Sequence, residues 1–455
     1  MEITPTIRAE VQTYLKRNGL TMTEFGHTID LNTGTVSGIV TGNRPLSVHQ
    51  LDCITVGMNV QPDYFYERYI EECIEDFPLN WKKISPFLYR CIELGRLDCL
   101  QRVAFLLLDN PKYLPSLFEV AEDVYKDGYN EAAAFLYENV AETEKNQHSD
   151  RFAICQYRLF TIRVGEDQEI NYDAAVQFEP YIERLDEFDQ LDALRALVNT
   201  YRSLRKWAKM NTFATALGNK AEIQYKIDLQ RTKSEQTKKP FYPPFVYWAF
   251  SHLIRAEVCD TNKDYETALQ HIQKYADLSW VEEKDETTLK WKNQFKEWAN
   301  ANTYVNRLLA GEINVLFDYV AYFSSRKDEV LPALDIIVEA ANRYHFDVDD
   351  ILNQFEVEIS SYLEEQKVES FYTQQFITER YIHFSKELAV YYLTKGRFSD
   401  GFTFLLSCLE KSTLNNNKSY IIKCVRLYES YQEYAPSEAK IAYRNLIKEV
   451  GEDEA

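Results

Sequence analysis

Glycine and proline are scarce in this chain, at 14 and 13 of 455 residues. Each makes up about 3%, against the usual ~7% and ~5%. An all-β protein built on tight turns needs both, so their scarcity favours long helices with short connections. Long apolar runs are missing too: the longest, around Ala104–Leu108, is about five residues where a membrane span needs ~18. The N-terminus has no basic-then-apolar signal segment. Eight scattered cysteines include no C-x-x-C pair, and seven dispersed histidines include no H-E-x-x-H. No metal site and no disulfide framework is therefore expected, and reduced thiols in a cytoplasm are. Phosphate-cradling loops are absent as well. Gly34-x-x-x-Gly38-x-x-x-Gly42 has the wrong spacing and no lysine. Asp347-x-Asp349-Asp350 lacks the glycine and distal glutamate of a calcium loop. With no nucleophile–base constellation, no catalytic residue and no cofactor is expected. Positive charge is also short, with 51 basic against 71 acidic residues and a net charge of −20. A chain so acidic repels nucleic acid globally, so any DNA contact has to be local.

What is present is a core-forming composition, 45% hydrophobic and 27% charged, with 32 tyrosines and 26 phenylalanines. These are the large wedges that helix-on-helix packing uses. The fold class expected is all-α. The length suits roughly three domains of about 150 residues, or one elongated repeat array.

In the first 66 residues, Ile7, Val11, Tyr14 and Leu15 share one helical face that stops at Asn18-Gly19. Thr21 with Glu24 predicts a capping box for a short helix carrying Phe25 and Ile29 inward. In the next helix Val36, Ile39 and Val40 are expected to face the core and Asn32, Thr33, Thr35 and Ser37 to point outward. Ser47 starts a helix with Leu51, Ile54 and Met58 inward, and Gln61-Pro62-Asp63 opens the last one. The run LTMTEFGHTIDLNTGTVSGIVTGNRPLSVHQLDCITVGMNVQPDYFYE resembles the lambda-repressor-like helix-turn-helix family. The resemblance implies that the second helix of the pair enters the major groove of double-stranded operator DNA. Asn32, Thr33, Thr35 and Ser37 would then meet base edges or phosphates, and Thr41, Asn43 and Arg44 the backbone. One departure stands out. Residues 1–66 carry four basic side chains (Arg8, Lys16, Arg17, Arg44) against six acidic ones, and residues 31–41 contain no arginine or lysine. Bidentate reading of guanine from that helix is excluded. The alternative is a bundle kept for dimerisation alone.

Residues 67–455 read as amphipathic helices paired around Gly95-Arg96-Leu97-Asp98, Asp127-Gly128-Tyr129-Asn130, Asn262-Lys263-Asp264-Tyr265 and Lys395-Gly396-Arg397-Phe398. Their spacing fits the tetratricopeptide period of about 34 residues. About nine pairs are expected, degenerate near 150–186 and 328–366, wound as a right-handed superhelix whose concave groove takes a peptide. The Pro-rich, basic stretch at 231–244 marks a break within the array. A helix-turn-helix followed by such an array, with YNEAAAFLYENVAETEKNQHSDRFAICQYRLFTIR and LRALVNTYRSLRKWAKMNTFATAL, resembles the RRNPP peptide-pheromone receptors of Gram-positive bacteria and their phages. That resemblance implies a cytoplasmic, homodimeric transcription regulator switched by a short linear peptide. The Rap members imply the alternative: a module that sequesters a response-regulator protein, its helix-turn-helix degenerate.

Candidate peptide ligands follow from helical spacing. Asn199 and Arg202 lie on a polar stripe with Arg195 and Lys206, and Asn302 and Asn306 interrupt an apolar stripe. Asparagine amides can serve a peptide backbone, and arginine forks its carboxylate. Arg158 projects from an earlier helix and is a further candidate clamp. A solvated face is the competing reading for Asn199 and Arg202, and core hydrogen bonding for Asn302 and Asn306. His252 and His383 are expected to be packing histidines.

Overall fold

The computed structural model describes residues 5–75, 77–145, 150–230, 239–364 and 373–452. Arg231, Lys233 and Lys238, at the expected break in the array, lie outside the described residues. Among the described residues the protein is all-α, with 24 α-helices, a few short 3-10 or π turns, and no strand. The helices gather into two compact units, Met1–Ile162 and Arg163–Ala455.

The first unit opens with α1 (Ile7–Asn18), α2 (Met22–Thr28), α3 (Thr33–Val40), α4 (Val48–Met58) and α5 (Tyr66–Tyr69). Each boundary has a local cause. Thr6 caps α1 through Ala9 N–H, and Gly19 ends it at φ 64°. Thr21 and Glu24 form the expected capping box on α2, and Ser47 with Gln50 forms another on α4. Asn32 Oδ1 caps α3, accepting from Thr35 N–H at 2.7 Å. Val11, Phe25, Ile29, Val36, Ile39 and Ile54 are buried together at the centre. The α2–α3 turn needs a glycine at position 26, where a Cβ would sit 2.6 Å from the Leu31 carbonyl oxygen. The boundary expected at Tyr66 falls inside this unit. Here α5 runs directly into a π turn, Ile70–Glu75, and the rings of Tyr66 and Tyr69 pack on Phe87 at 4.9 and 5.1 Å. Four more helices follow, α6 (Trp81–Glu93), α7 (Leu97–Leu108), α8 (Leu114–Lys126) and α9 (Asn130–Glu144), then α10 (Asp150–Arg163).

The second unit begins with α11 (Gln168–Phe178), α12 (Glu187–Ser203), α13 (Trp207–Gln230), α14 (Pro244–Thr261), α15 (Tyr265–Ala276) and α16 (Glu286–Leu309). It continues through α17 (Leu316–Phe323), α18 (Lys327–Tyr344), α19 (Asp349–Gln354) and α20 (Glu356–Glu364). It ends with α21 (Gln374–Thr394), α22 (Phe398–Leu414), α23 (Lys418–Tyr431) and α24 (Ser437–Glu452). Consecutive helices pack as tetratricopeptide-like pairs, α12 on α13, α14 on α15 and α21 on α22. The pairing lapses where α16 packs on both α17 and α18.

One hydrogen-bond pattern closes the turns of both units. Gly95, Gly128 and Gly396 adopt φ of 69°, 86° and 77°. Each donates its N–H three residues back while the next residue donates five back, as in Gly95 to Ile92 and Arg96 to Cys91. This is the Schellman closure, whose left-handed residue favours glycine. The same pattern recurs with side chains in place, at Arg205, Lys263 and Asn416 (φ 52°, 62° and 50°).

The two ends of the second unit meet. Helix α12 packs against α21, and the Gln168 amide donates to the Asn415 carbonyl at 3.0 Å. Asn416 Nδ2 lies 3.3 Å from Asp167 and from Glu169, and Lys418 Nζ pairs with Glu169 at 2.6 Å. Helical periodicity did not foretell this seam.

Candidate functional site

The outer face of α3 carries Asn32 and Thr33 exposed and Ser37 half-buried, and Thr41, Asn43 and Arg44 continue it exposed beyond the helix end. Thr35 is a correction. It is buried at 4% exposure and not outward-facing, because it stands one helical turn before buried Ile39 and shares its face. Its Oγ1 accepts from Arg44 Nη1 at 3.0 Å. Beyond the helix, Thr41 Oγ1 donates to the Ser37 carbonyl at 2.7 Å, and Asn43 Nδ2 donates to Thr41 Oγ1 at 3.1 Å.

Charge is distributed more favourably for an anionic partner than the count suggests. Among the described residues none of Arg8, Lys16, Arg17 and Arg44 enters an ion pair. Three of the bundle's acids, by contrast, are covered by arginines from beyond residue 66: Glu10 by Arg68, Asp52 by Arg90 at 3.1 Å, and Asp63 by Arg96 at 2.6 Å, while Asp30 stays exposed. Glu24 is spent on the capping box. Arg8, Gln12 and Lys16 recur every four residues along α1 and so share a stripe. Gln12 Nε2 donates to the Val40 carbonyl at 3.2 Å, and Arg8 Nη1 lies 2.9 Å from where Gly42 would carry a Cβ. The stripe thus flanks the C-terminal end of α3. Arg8, Gln12 and Lys16 were not singled out from the sequence as contact residues, although their spacing was readable there.

Of the expected peptide ligands, Arg158 belongs to the first unit and the other four to the second. Arg158 is not a free clamp: it pairs bidentately with Glu122 at 2.9 and 3.0 Å, and Glu122 also accepts from Tyr137 at 2.6 Å. Burial alone would push the Glu122 carboxyl up, but the Arg158 guanidinium holds it below its ordinary value. Arg202 is likewise committed. It is buried, forks Glu257 at 3.1 and 2.5 Å, and lies over the Phe376 ring at 3.8 Å. Asn306 is buried at 3% exposure, its Nδ2 donating to Asp260 at 2.7 Å and to the Tyr265 carbonyl at 3.0 Å. The fold brings a carboxylate to each of these three from 36, 55 or 46 residues away. Asn302 is half-buried and donates to Tyr275 Oη at 2.8 Å. Asn199 is half-buried and makes no side-chain hydrogen bond among the described residues. His252 and His383 are packing histidines, bonded to His271 at 2.8 Å and Asp335 at 2.7 Å.

The Asn306–Asp260 contact has a consequence in pH. Burial pushes the Asp260 carboxyl up to about 7, with the Asn306 hydrogen bond working against it. The folded chain therefore holds a proton there that the unfolded chain, with an ordinary carboxyl near 3.9, has lost. Its stabilising contribution is full below pH ~4 and disappears as pH rises towards ~7, on the order of a few kcal/mol in all. Wild type should lose thermal stability relative to Asp260→Asn over that window. Parallel melting curves between pH 4 and 7 would contradict it.

Among the described residues no cluster of histidine, cysteine, aspartate and glutamate could hold a metal ion, and no helix is long and apolar enough to cross a membrane. No family model and no curated protein matches the chain. Among solved structures it is similar to PlcR of Bacillus thuringiensis in complex with the peptide PapR7 and DNA. The match covers 78% of this chain and 99% of that one, at 13% identity and a TM-score of 0.22. With identity and score this low, the likeness carries no weight for fold or role.

Proposed function

We propose that the chain is a cytoplasmic, non-catalytic transcription regulator that binds operator DNA as a homodimer and responds to a short peptide taken up by its second unit. One observation carries the DNA half: an exposed face of small polar side chains on α3, with Arg8 and Arg44 beside its C-terminal end and, among the described residues, neither of them in an ion pair. Asn32, Thr33 and Ser37 read the groove, Thr41, Asn43 and Arg44 meet the backbone, and the α1 stripe adds phosphate contacts. With no arginine on α3, one copy binds weakly, so two copies engage half-sites at least a helical turn apart. The peptide half rests on the tetratricopeptide-like pairing of the second unit, with the half-buried amides of Asn199 and Asn302 as its ligands.

The test is a gel shift with the DNA upstream of the chain's own coding region. Thr33→Glu with Ser37→Glu places two carboxylates against phosphates without touching the core, and should abolish the shift at unchanged melting temperature. A shift retained by the double variant would move the contact to another surface. The absence of arginine and lysine from residues 31–41 favours a second reading, in which the helical array holds a response-regulator protein. Failure of the wild-type chain to shift any fragment would favour that reading.

A further inference from the structure

Two of the turns closed without glycine lie on the seam of the second unit. Asn416, at φ 50°, bonds across it to Asp167 and Glu169. Asparagine tolerates left-handed backbone, whereas arginine at the same position is a strained choice. Yet Arg205, at φ 52°, ends α12 there and reaches across to α21 and α23. Its Nη1 lies 3.2 Å from the Glu379 carboxylate and also donates to the Tyr420 hydroxyl. Tyr420 in turn donates to Glu379 at 3.2 Å. One turn back on α12, Arg202 is held by Glu257 and stacks on Phe376 of α21.

A buried ion pair is a poor source of net stability, and glycine with an apolar contact would close the same turn without strain. The pair makes better sense as a contact built to be broken. Arg205 keeps 29% of its side chain exposed while Glu379 keeps 7%, so solvent reaches the cation more than its partner. Lys423 Nζ sits over the Tyr420 ring at 4.3 Å. Arg202, Arg205 and Lys423 stand here with three carboxylates, Glu257, Glu379 and Asp335, the last acting on Arg205 through space. Lys386 nearby is already matched by Glu387 at 2.6 Å.

We propose that this seam is a carboxylate-exchange site: a ligand carboxylate replaces Glu379 on Arg205 and bridges α12 to α21 and α23 in its place. The fork of Arg205 suits a planar carboxylate, the group it now holds. This rests on the reading of the second unit as peptide-binding, and the ligand group it names is a peptide's free C-terminal carboxylate. Entry of that group costs the site no net charge, since Glu379 leaves as it arrives.

The test needs neither peptide nor DNA, so its outcome is separable from that reading. In the full chain, Glu379→Ala vacates the place of the internal carboxylate, and propionate is offered as a substitute. The readout is hydrogen exchange of the Gln168 amide, which donates across the seam to Asn415. Glu379→Ala should speed that exchange by about tenfold or more, as expected for a contact opening locally. Propionate should restore it to within about twofold of wild type, while propionamide and inorganic phosphate at equal ionic strength should not. Adding Arg205→Gly, which suits the turn and removes the fork, should abolish the rescue. If Glu379→Ala fails to fold, Glu379→Gln keeps the shape, removes the charge, and should respond to propionate alike. Unchanged exchange in the variant would overturn the latch. Equal rescue by propionamide, or rescue by phosphate alone, would overturn the carboxylate assignment.

Discussion

Replacing Arg8, Lys16 and Arg17 together with glutamine should lower affinity for duplex DNA by about two to three orders of magnitude near 0.1 M salt. The basis is counterion release: each phosphate contact contributes roughly 0.9 to the slope of log affinity against log salt, so losing three flattens it by about 3. None of the three side chains makes an ion pair or a side-chain hydrogen bond among the described residues, so the bundle should keep its melting temperature. Sequence preference should survive, because the groups facing base edges on α3 are untouched. The measurement is a salt titration of binding, by fluorescence anisotropy, for wild type and the triple variant. An unchanged slope would remove these three α1 cations from the interface.

Arg158→Ala and Arg202→Ala should both melt early, each losing about 3–5 kcal/mol of stability in its own unit because a partly buried carboxylate is stranded. Glu122 would be left with Tyr137 as donor, and Glu257 with none of the contacts that Arg202 supplies. Removing both partners should hurt less than removing one. Arg158→Met with Glu122→Leu should recover much of the loss, since an apolar pair of similar volume strands nothing. Calorimetry of the four proteins separates the cases. If either single variant melts like wild type, its arginine is not structural and its candidacy as a peptide ligand revives.

Much of the fold was legible because it is written locally. The Thr21–Glu24 capping box, the Gly19 stop and the glycine turns at 95, 128 and 396 each use residues within a few positions of one another. The sites were less legible because they depend on distant neighbours. Thr35 looked outward by residue type, but the turn it shares with Ile39 buries it. Arg158, Arg202 and Asn306 looked free because Glu122, Glu257 and Asp260 lie on other helices. Asn199, one turn before committed Arg202, makes no side-chain hydrogen bond among the described residues. The seam follows from the same limit. Its contacts join residues near 167–205 to residues near 376–420, and no period within the chain announces that they meet.

The most direct test of the account is quantitative binding of the full-length wild-type chain to the duplex upstream of its own coding region, beside a shuffled duplex of equal length and composition. The account predicts saturable, salt-sensitive binding of two chains per duplex, at least a thousandfold tighter than to the shuffled control, the low end of specific recognition. Equal affinity for both duplexes, or no binding to either at low salt, would contradict it.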